Sequence, residues 1–391
     1  MIRAAIDTLR RVDHAVGRRS GRRRVLVDAR TPVNFTMVAP VYHAMAADPR
    51  VSFCFTASEE PHRLRDIYRE APGIRTVPPA RARLMRFDAY VASDFMWQPL
   101  PRGTCRIQMF HGVGGKYGFD APTTSMRAWD RIFFVNERRL RNFITAGAID
   151  ADSPAARVIG MPKVDCLVDG SLDRVRILRD LGLDPARPTV LYAPTWSPAS
   201  SLNQMGEDLI GHLRQRPVNL IVKLHDRSCD LRPQYSGGVD WVARLTPLLT
   251  APSAVLATSA NITPCLAAAD VMITDHSSAG FEYLLLDRPL VRIDMPDLIR
   301  QANVHAAYVQ LLAEASHNVT TAAAAAAAVD TALATPDALS ASRRRVAADL
   351  FYRPGTASAR CALALYDLLQ LAPLAAIAAA ARETTPCLQS A

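Results

Sequence analysis

The chain has 391 residues, 49% hydrophobic and 21% charged, with a formal net charge of +9. That length and composition point to two globular cores and exclude a disordered or collagen-like chain. The seven cysteines are scattered and hold no C-x-x-C pair, which argues against a disulfide framework or a zinc site and suits a reducing cytoplasm.

Residues 1–24 carry eight arginines against two aspartates, and Ile2, Ile6, Leu9, Val12 and Val16 recur near helical spacing. This basic amphipathic segment suits an anionic membrane surface, or a solvated helix charged for solubility. It lacks the apolar core of a signal peptide, and the Ala-rich runs 322–329 and 371–381 are too short to span a bilayer. A cytoplasmic protein, peripheral on the inner face of the membrane, is the expectation. Aromatic and basic residues do not interleave, so no nucleic-acid partner is expected.

Strand-like and helix-like runs then alternate. Strands are expected at 24–29, 51–57, 89–93, 107–110 and 131–135, with helices at 37–47, 61–71 and 138–146. Prolines and glycines break the pattern across 161–188, as an interdomain connection would. It restarts with strands at 190–193, 220–224, 254–257, 271–274 and 289–293, and helices at 202–215, 262–269 and 322–334. The alternation predicts an α/β class chain of two Rossmann-like halves facing a cleft. We expect a basic segment at 1–23, an N-terminal Rossmann-like acceptor domain at 24–165, a nucleotide-donor domain at 166–350, and C-terminal helices with a frayed tail at 351–391.

Four segments carry candidate chemistry. His111-Gly112-Val113-Gly114-Gly115-Lys116 follows a strand. Its glycines admit a ligand to the backbone, His111 can move a proton, and Lys116 can meet a phosphate, though a flexible loop would read alike. Thr195 offers a hydroxyl after the strand at 190–193, and the neighbouring Trp196 reads best as packing. Lys223 and His225 bring a cation and a proton-transfer group to one strand end, or are a surface lysine and a histidine bonded to a carbonyl. After the strand ending at Thr274 come Asp275, Ser277 and Ser278, where a helix begins. Exposed amides and the positive dipole end suit a phosphate there, although capping alone also needs such serines. Glu282, one turn on, could accept from ribose hydroxyls or be a solvated residue.

In order, HGVGGK (111–116), GMPKVD (160–165), LYAPTW (191–196), VKLHD (222–226), ITDHSSAGFEY (273–283) and LFYRPGTASAR (350–360) resemble the CDP-glycerol glycerophosphotransferase family, the teichoic-acid and capsule polymerases. The resemblance covers roughly residues 105–365. It implies a GT-B fold and transfer of a polyol phosphate from a CDP-polyol donor to a polyol-phosphate or glycan acceptor. It also implies His111 as the base on the acceptor hydroxyl, His225 on the donor phosphates or leaving group, and a pyrophosphate site at Thr274–Ser278. The sequence departs from the family pattern at Val113–Gly115, Lys163, Asp226 and His276. No metal or cofactor is required, since lysines and a helix terminus can neutralise the phosphates. The competing readings are a GT-B nucleotide-sugar glycosyltransferase or 2-epimerase-like enzyme, and a non-catalytic membrane-associated module.

Overall fold

A computed structural model describes residues 2–19, 21–116, 126 and 128–382. They form two compact units. The first gathers the described residues up to Gly112, those of 121–165, and residues 351–382. The second gathers 113–116 and Cys166–Leu350. The stretch from 351, set apart by the sequence, is thus part of the first unit.

The first unit is built on six parallel strands: β1 (Arg23–Asp28), β2 (Val51–Thr56), β3 (Ala89–Ser93), β4 (Cys105–Met109), β5 (Arg131–Phe134) and β6 (Ala156–Val158). Their spatial order is β2-β1-β3-β4-β5-β6. Runs such as Ala89–Ser93 are buried at every position, as strands covered on both faces must be. The helix Ala357–Leu368 packs on the helix Pro32–Met45 in this unit. Asp165 fastens that return of the chain: Oδ1 accepts from the N–H of Gly355 at 2.8 Å and Ala357 at 3.1 Å, and Oδ2 from Ser358 at 2.6 Å. Burial nevertheless pushes its carboxyl up, against the lowering pull of those bonds. Two motifs far apart in sequence, 160–165 and 350–360, therefore form one joint.

The second unit repeats the plan with β7 (Thr189–Tyr192), β8 (Asn219–Lys223), β9 (Ala254–Ala257), β10 (Val271–Thr274), β11 (Leu290–Ile293) and β12 (His317–Val319). Their order is β12-β11-β10-β7-β8-β9, all parallel. This is the doubly wound nucleotide-binding order, reversing direction between β7 and β10. Leu202, Leu209, Ile210 and Leu213 of the helix Ser201–Arg214 share a core with Ala325 and Val329 and with Val190, Val222 and Val271 of the sheet. Alanines on the helix Ala322–Ala334 let it lie close. Truncating one of those leucines to alanine costs about 2–5 kcal/mol.

The helix expected over 61–71 is shorter, a 3-10 turn Pro61–Arg63 running into Leu64–Ile67. It stops because Tyr68 turns inward, its hydroxyl donating to the Thr56 carbonyl at 2.7 Å. The edge strands β6 and β12 were not expected: each has three residues, with exposed Arg157 and Asn318 at the centre. The tail beyond residue 382 lies outside the described residues.

Candidate active site

Open parallel sheets bind ligands beyond the carboxyl ends of their strands, where the strand order reverses. In the first unit that reversal falls between β1 and β3. Arg30 follows β1, Asp94 follows β3, and His111 follows β4. Asp94 and Phe95 both take left-handed backbone, φ 80° and 57°, costly for residues with a side chain and typical of functional turns. The turn aims the Asp94 carboxylate at Nδ1 of His111. Asn34 Nδ2 donates to Asp94 Oδ2 at 3.2 Å and to the Ser93 carbonyl at 3.2 Å. Arg30 lies 3.8 Å from Asp94 Oδ2. Burial alone would raise Asp94, but His111, and then Arg30 and Arg139, hold its carboxyl below the usual range. An anionic carboxylate on Nδ1 keeps the proton there and leaves Nε2 as the basic nitrogen.

The loop after His111 is braced from beneath. Arg139, 4% exposed, lays its guanidinium 3.7 Å from the centre of the Phe110 ring, and Nη1 donates to the Gly112 carbonyl at 3.1 Å. Gly112 is itself buried. In the second unit, residues 113–116 seat on the helix Ala306–Glu314. The His305 N–H donates to the Gly115 carbonyl at 2.9 Å and the Tyr308 hydroxyl to the Val113 carbonyl at 3.3 Å. Gly115 has φ +86°, and a Cβ there would fall 2.5 Å from the Tyr308 ring. The Lys116 ammonium donates to the His276 carbonyl. Burial pushes Lys116 down to about 8, Asp275 opposing. His276 is pushed down to about 2 by burial, by Lys116 and by Arg292, so its ring is neutral.

In the second sheet β10, β7 and β8 are neighbours, so Ser277, Thr195 and His225 stand at adjacent strand ends. Parallel strands lie about 4.8 Å apart, which spreads these residues over about 10 Å, the span of a diphosphate and a small polyol. Asp275 locks the corner. Oδ1 accepts from the Thr195 N–H at 2.9 Å; Oδ2 accepts from the Ser201 N–H at 3.1 Å and the Ser201 hydroxyl at 3.0 Å. Thr274 donates its hydroxyl to the Ala193 carbonyl at 2.7 Å. Both side chains are fully buried. Thr274 and Asp275, expected to bind substrate, bond to the protein and set the β7 and β10 loops against each other.

Ser277 caps the helix Ser278–Tyr283, its hydroxyl accepting from the Ala279 N–H at 3.3 Å. Glu282 is 2% exposed and Thr195 5% exposed, so neither is a solvated bystander. The Thr195 hydroxyl has no hydrogen-bond partner among the described residues. Lys223 is not a surface lysine: it is 7% exposed and Nζ donates to the Leu224 carbonyl at 2.6 Å. His225 is partly exposed, and its Nδ1 lies 2.6 Å from Asp226 Oδ1. Burial would raise Asp226, yet His225 and Arg227 hold it well below the usual carboxylate range. Each unit therefore carries an imidazole with a carboxylate on Nδ1. Asp94 and Arg139 escaped the sequence reading; an aspartate directly after an apolar strand, Ser93-Asp94 like Thr274-Asp275, was the signal for the first.

The fold is shared with solved proteins. The wall teichoic acid polymerase TagF is similar at 16% identity and a TM-score of 0.66, over 94% of this chain and 95% of that one. MnaA of S. aureus, solved with UDP, is similar at 10% identity and a TM-score of 0.55, over 90% and 98%. UDP-GlcNAc 2-epimerase of Neisseria meningitidis, bound to UDP-GlcNAc, gives 12% and 0.54, over 89% and 100%. These likenesses show a GT-B class fold of two Rossmann-like units. No curated protein matches the chain by sequence. The family model for CDP-Glycerol:Poly(glycerophosphate) glycerophosphotransferase matches residues 41–365, so the chain belongs to that family and is a glycerophosphotransferase-type enzyme.

Proposed function

We propose that this enzyme carries out the transfer typical of its family through His111 and His225. A polyol phosphate, glycerol phosphate foremost, passes from a CDP-activated donor to a hydroxyl of a cell-surface polymer or lipid-linked acceptor. The observation that carries the reading is the carboxylate-backed imidazole at the carboxyl edge of each sheet. His111 Nε2 takes the acceptor proton, and Asp94 stabilises the imidazolium that results. The acceptor oxygen attacks the distal phosphorus, the bond from that phosphorus to the bridging oxygen breaks, and CMP leaves. His225, whose Nδ1 accepts from the Arg227 N–H, donates Nε2–H to the departing phosphate. The Ser277–Ser278 corner, Lys116 and Lys223 supply positive charge to the donor phosphates. Gly112 lets the acceptor approach the backbone, Thr195 offers its hydroxyl, and Glu282 accepts from the ribose. Thr274 and Asp275 hold the corner in shape.

We also propose that residues 2–19 rest on an anionic membrane at its inner face. No helix among the described residues is long and apolar enough to cross a membrane. The helix Ile2–Arg19 is pinned from one side: Asp13 pairs with Arg24 at 2.8 Å and accepts from the Arg86 N–H at 2.6 Å. Its other side shows Val12 and Val16, 57% and 56% exposed, between exposed Arg11 and Arg19. Apolar residues flanked by arginines suit an anionic interface.

The test is a donor screen. CMP released from CDP-glycerol or CDP-ribitol, and abolished by His111→Ala and by His225→Ala in folded protein, is the expected result. Turnover of a UDP-sugar with no CMP release from either CDP-polyol would overturn the reading.

A further inference from the structure

Beside His225 stands a cation that none of the roles above uses. The Arg227 guanidinium lies 4.5 Å from the ring centre of Trp196 and 5.0 Å from that of Tyr235. The two rings meet edge to face, their centres 5.4 Å apart. Arg227 bonds through its main chain: its N–H donates to Asp226 Oδ1 at 3.0 Å and to His225 Nδ1 at 3.1 Å. Its guanidinium makes no hydrogen bond or ion pair within the described residues. Arg232, which stacks on the same Tyr235 ring at 4.6 Å, is tied to Asp230 by bonds of 2.9 and 2.5 Å.

Two aromatic faces fix the plane and position of a guanidinium without using its N–H donors. Trp196 follows β7, the strand between β8 and β10, so the cation sits against the β7 loop beside the His225 turn. The buried Thr195 hydroxyl, with no hydrogen-bond partner among the described residues, precedes Trp196 directly. Such a cation is prepared for a planar, bidentate anion.

We propose that Arg227 is a substrate-contacting residue that grips the phosphoryl group in transit, with Trp196 and Tyr235 as its positioning residues. The proposal rests on the donor reading above. The guanidinium takes up charge on the non-bridging oxygens as the acceptor oxygen bonds to phosphorus and the bridging oxygen departs with CMP.

Arg227→Met keeps the length that packs between the rings and removes the charge. With CDP-glycerol as donor, its kcat/KM should fall at least about a hundredfold, as when one preorganised donor to a transition-state anion is lost. The melting temperature should change little. Thermal stabilisation by CDP should shrink while that by cytidine stays at the wild-type level. Arg227→Lys, which restores charge without the stacked plane, should recover only part of the rate. Arg227→Met within threefold of wild type in kcat/KM, or stabilised by CDP as fully as wild type, would overturn the proposal. Should Arg227→Met not fold, Arg227→Lys at the full wild-type rate overturns it instead. A wild-type protein that releases no CMP from CDP-glycerol defeats the donor reading, and the CDP-against-cytidine comparison then decides Arg227 alone.

Discussion

Asp94→Asn tests the acceptor side. The carboxylate presents two oxygens, one toward His111 Nδ1 and one accepting from Asn34 Nδ2 at 3.2 Å. An amide has one acceptor oxygen, so it serves Asn34 or His111 but not both. If it serves Asn34, its NH2 faces Nδ1 and selects the tautomer whose Nε2 carries the proton. That ring cannot accept the proton of the acceptor hydroxyl. Losing the correct tautomer in a carboxylate–imidazole pair costs about 10³–10⁴-fold in rate, or about 4–5.5 kcal/mol of transition-state stabilisation. The fold should lose much less. Asparagine tolerates the left-handed backbone that Asp94 adopts at φ 80°, whereas Asp94→Ala adds about 1–2 kcal/mol of strain. The assay is CMP release under donor saturation, with thermal melting as the control for folding. The expected result is a collapse in kcat, an almost unchanged donor KM, and a double variant with His111→Ala no slower than His111→Ala alone. Asp94→Asn within threefold of wild-type kcat, or a double variant whose losses multiply, would refute the reasoning.

Three further outcomes follow from the donor side. Replacing Ser277 and Ser278 together by alanine should weaken donor binding about tenfold by calorimetry, through loss of the cap and of hydroxyl contacts; an unchanged affinity counts against a diphosphate there. Lys116 sits at about 8, so it is charged below that pH and neutral above it. Donor affinity should therefore fall as pH rises through about 8 in the wild type, and Lys116→Met should be weaker but flat over the same range; a wild type flat from pH 7 to 9 would show that Lys116 carries no share. Gly115→Ala would set a Cβ 2.5 Å from the Tyr308 ring in a backbone that disfavours side chains, costing about 2–4 kcal/mol. Its melting temperature should drop by several degrees, and an unaltered one would mean the loop is not seated as described.

The interior strands were legible because burial on both faces leaves an uninterrupted apolar run, as in Val190–Tyr192 or Val271–Thr274. β6 and β12 were not, since a three-residue edge strand centred on Arg157 or Asn318 has no periodicity to read. His111, Lys116, His225 and the serine corner were found through their places after strands. Partners were harder. Asp94 stands seventeen positions before His111, and only the pairing of β3 with β4 brings them together. Asp275 looked like a ligand-binding group because it precedes two serines; its bonds to Thr195 and Ser201 arise from β10 lying against β7, a neighbourship that local sequence does not encode. The Arg227 stack depends in the same way on β7 and β8 being neighbours.

The clasp between Asp165 and residues 355–358 has a consequence for biosynthesis. The first unit draws on residues before 166 yet closes only with segments synthesised after the whole of 166–350. The second, drawn mostly from one uninterrupted stretch, is complete in its described residues by residue 350, before the clasp residues emerge. During translation the earlier-made half must wait, unfinished, while the later one condenses. Cutting the gene just after residue 350 would therefore strand the amino-terminal unit and spare the second.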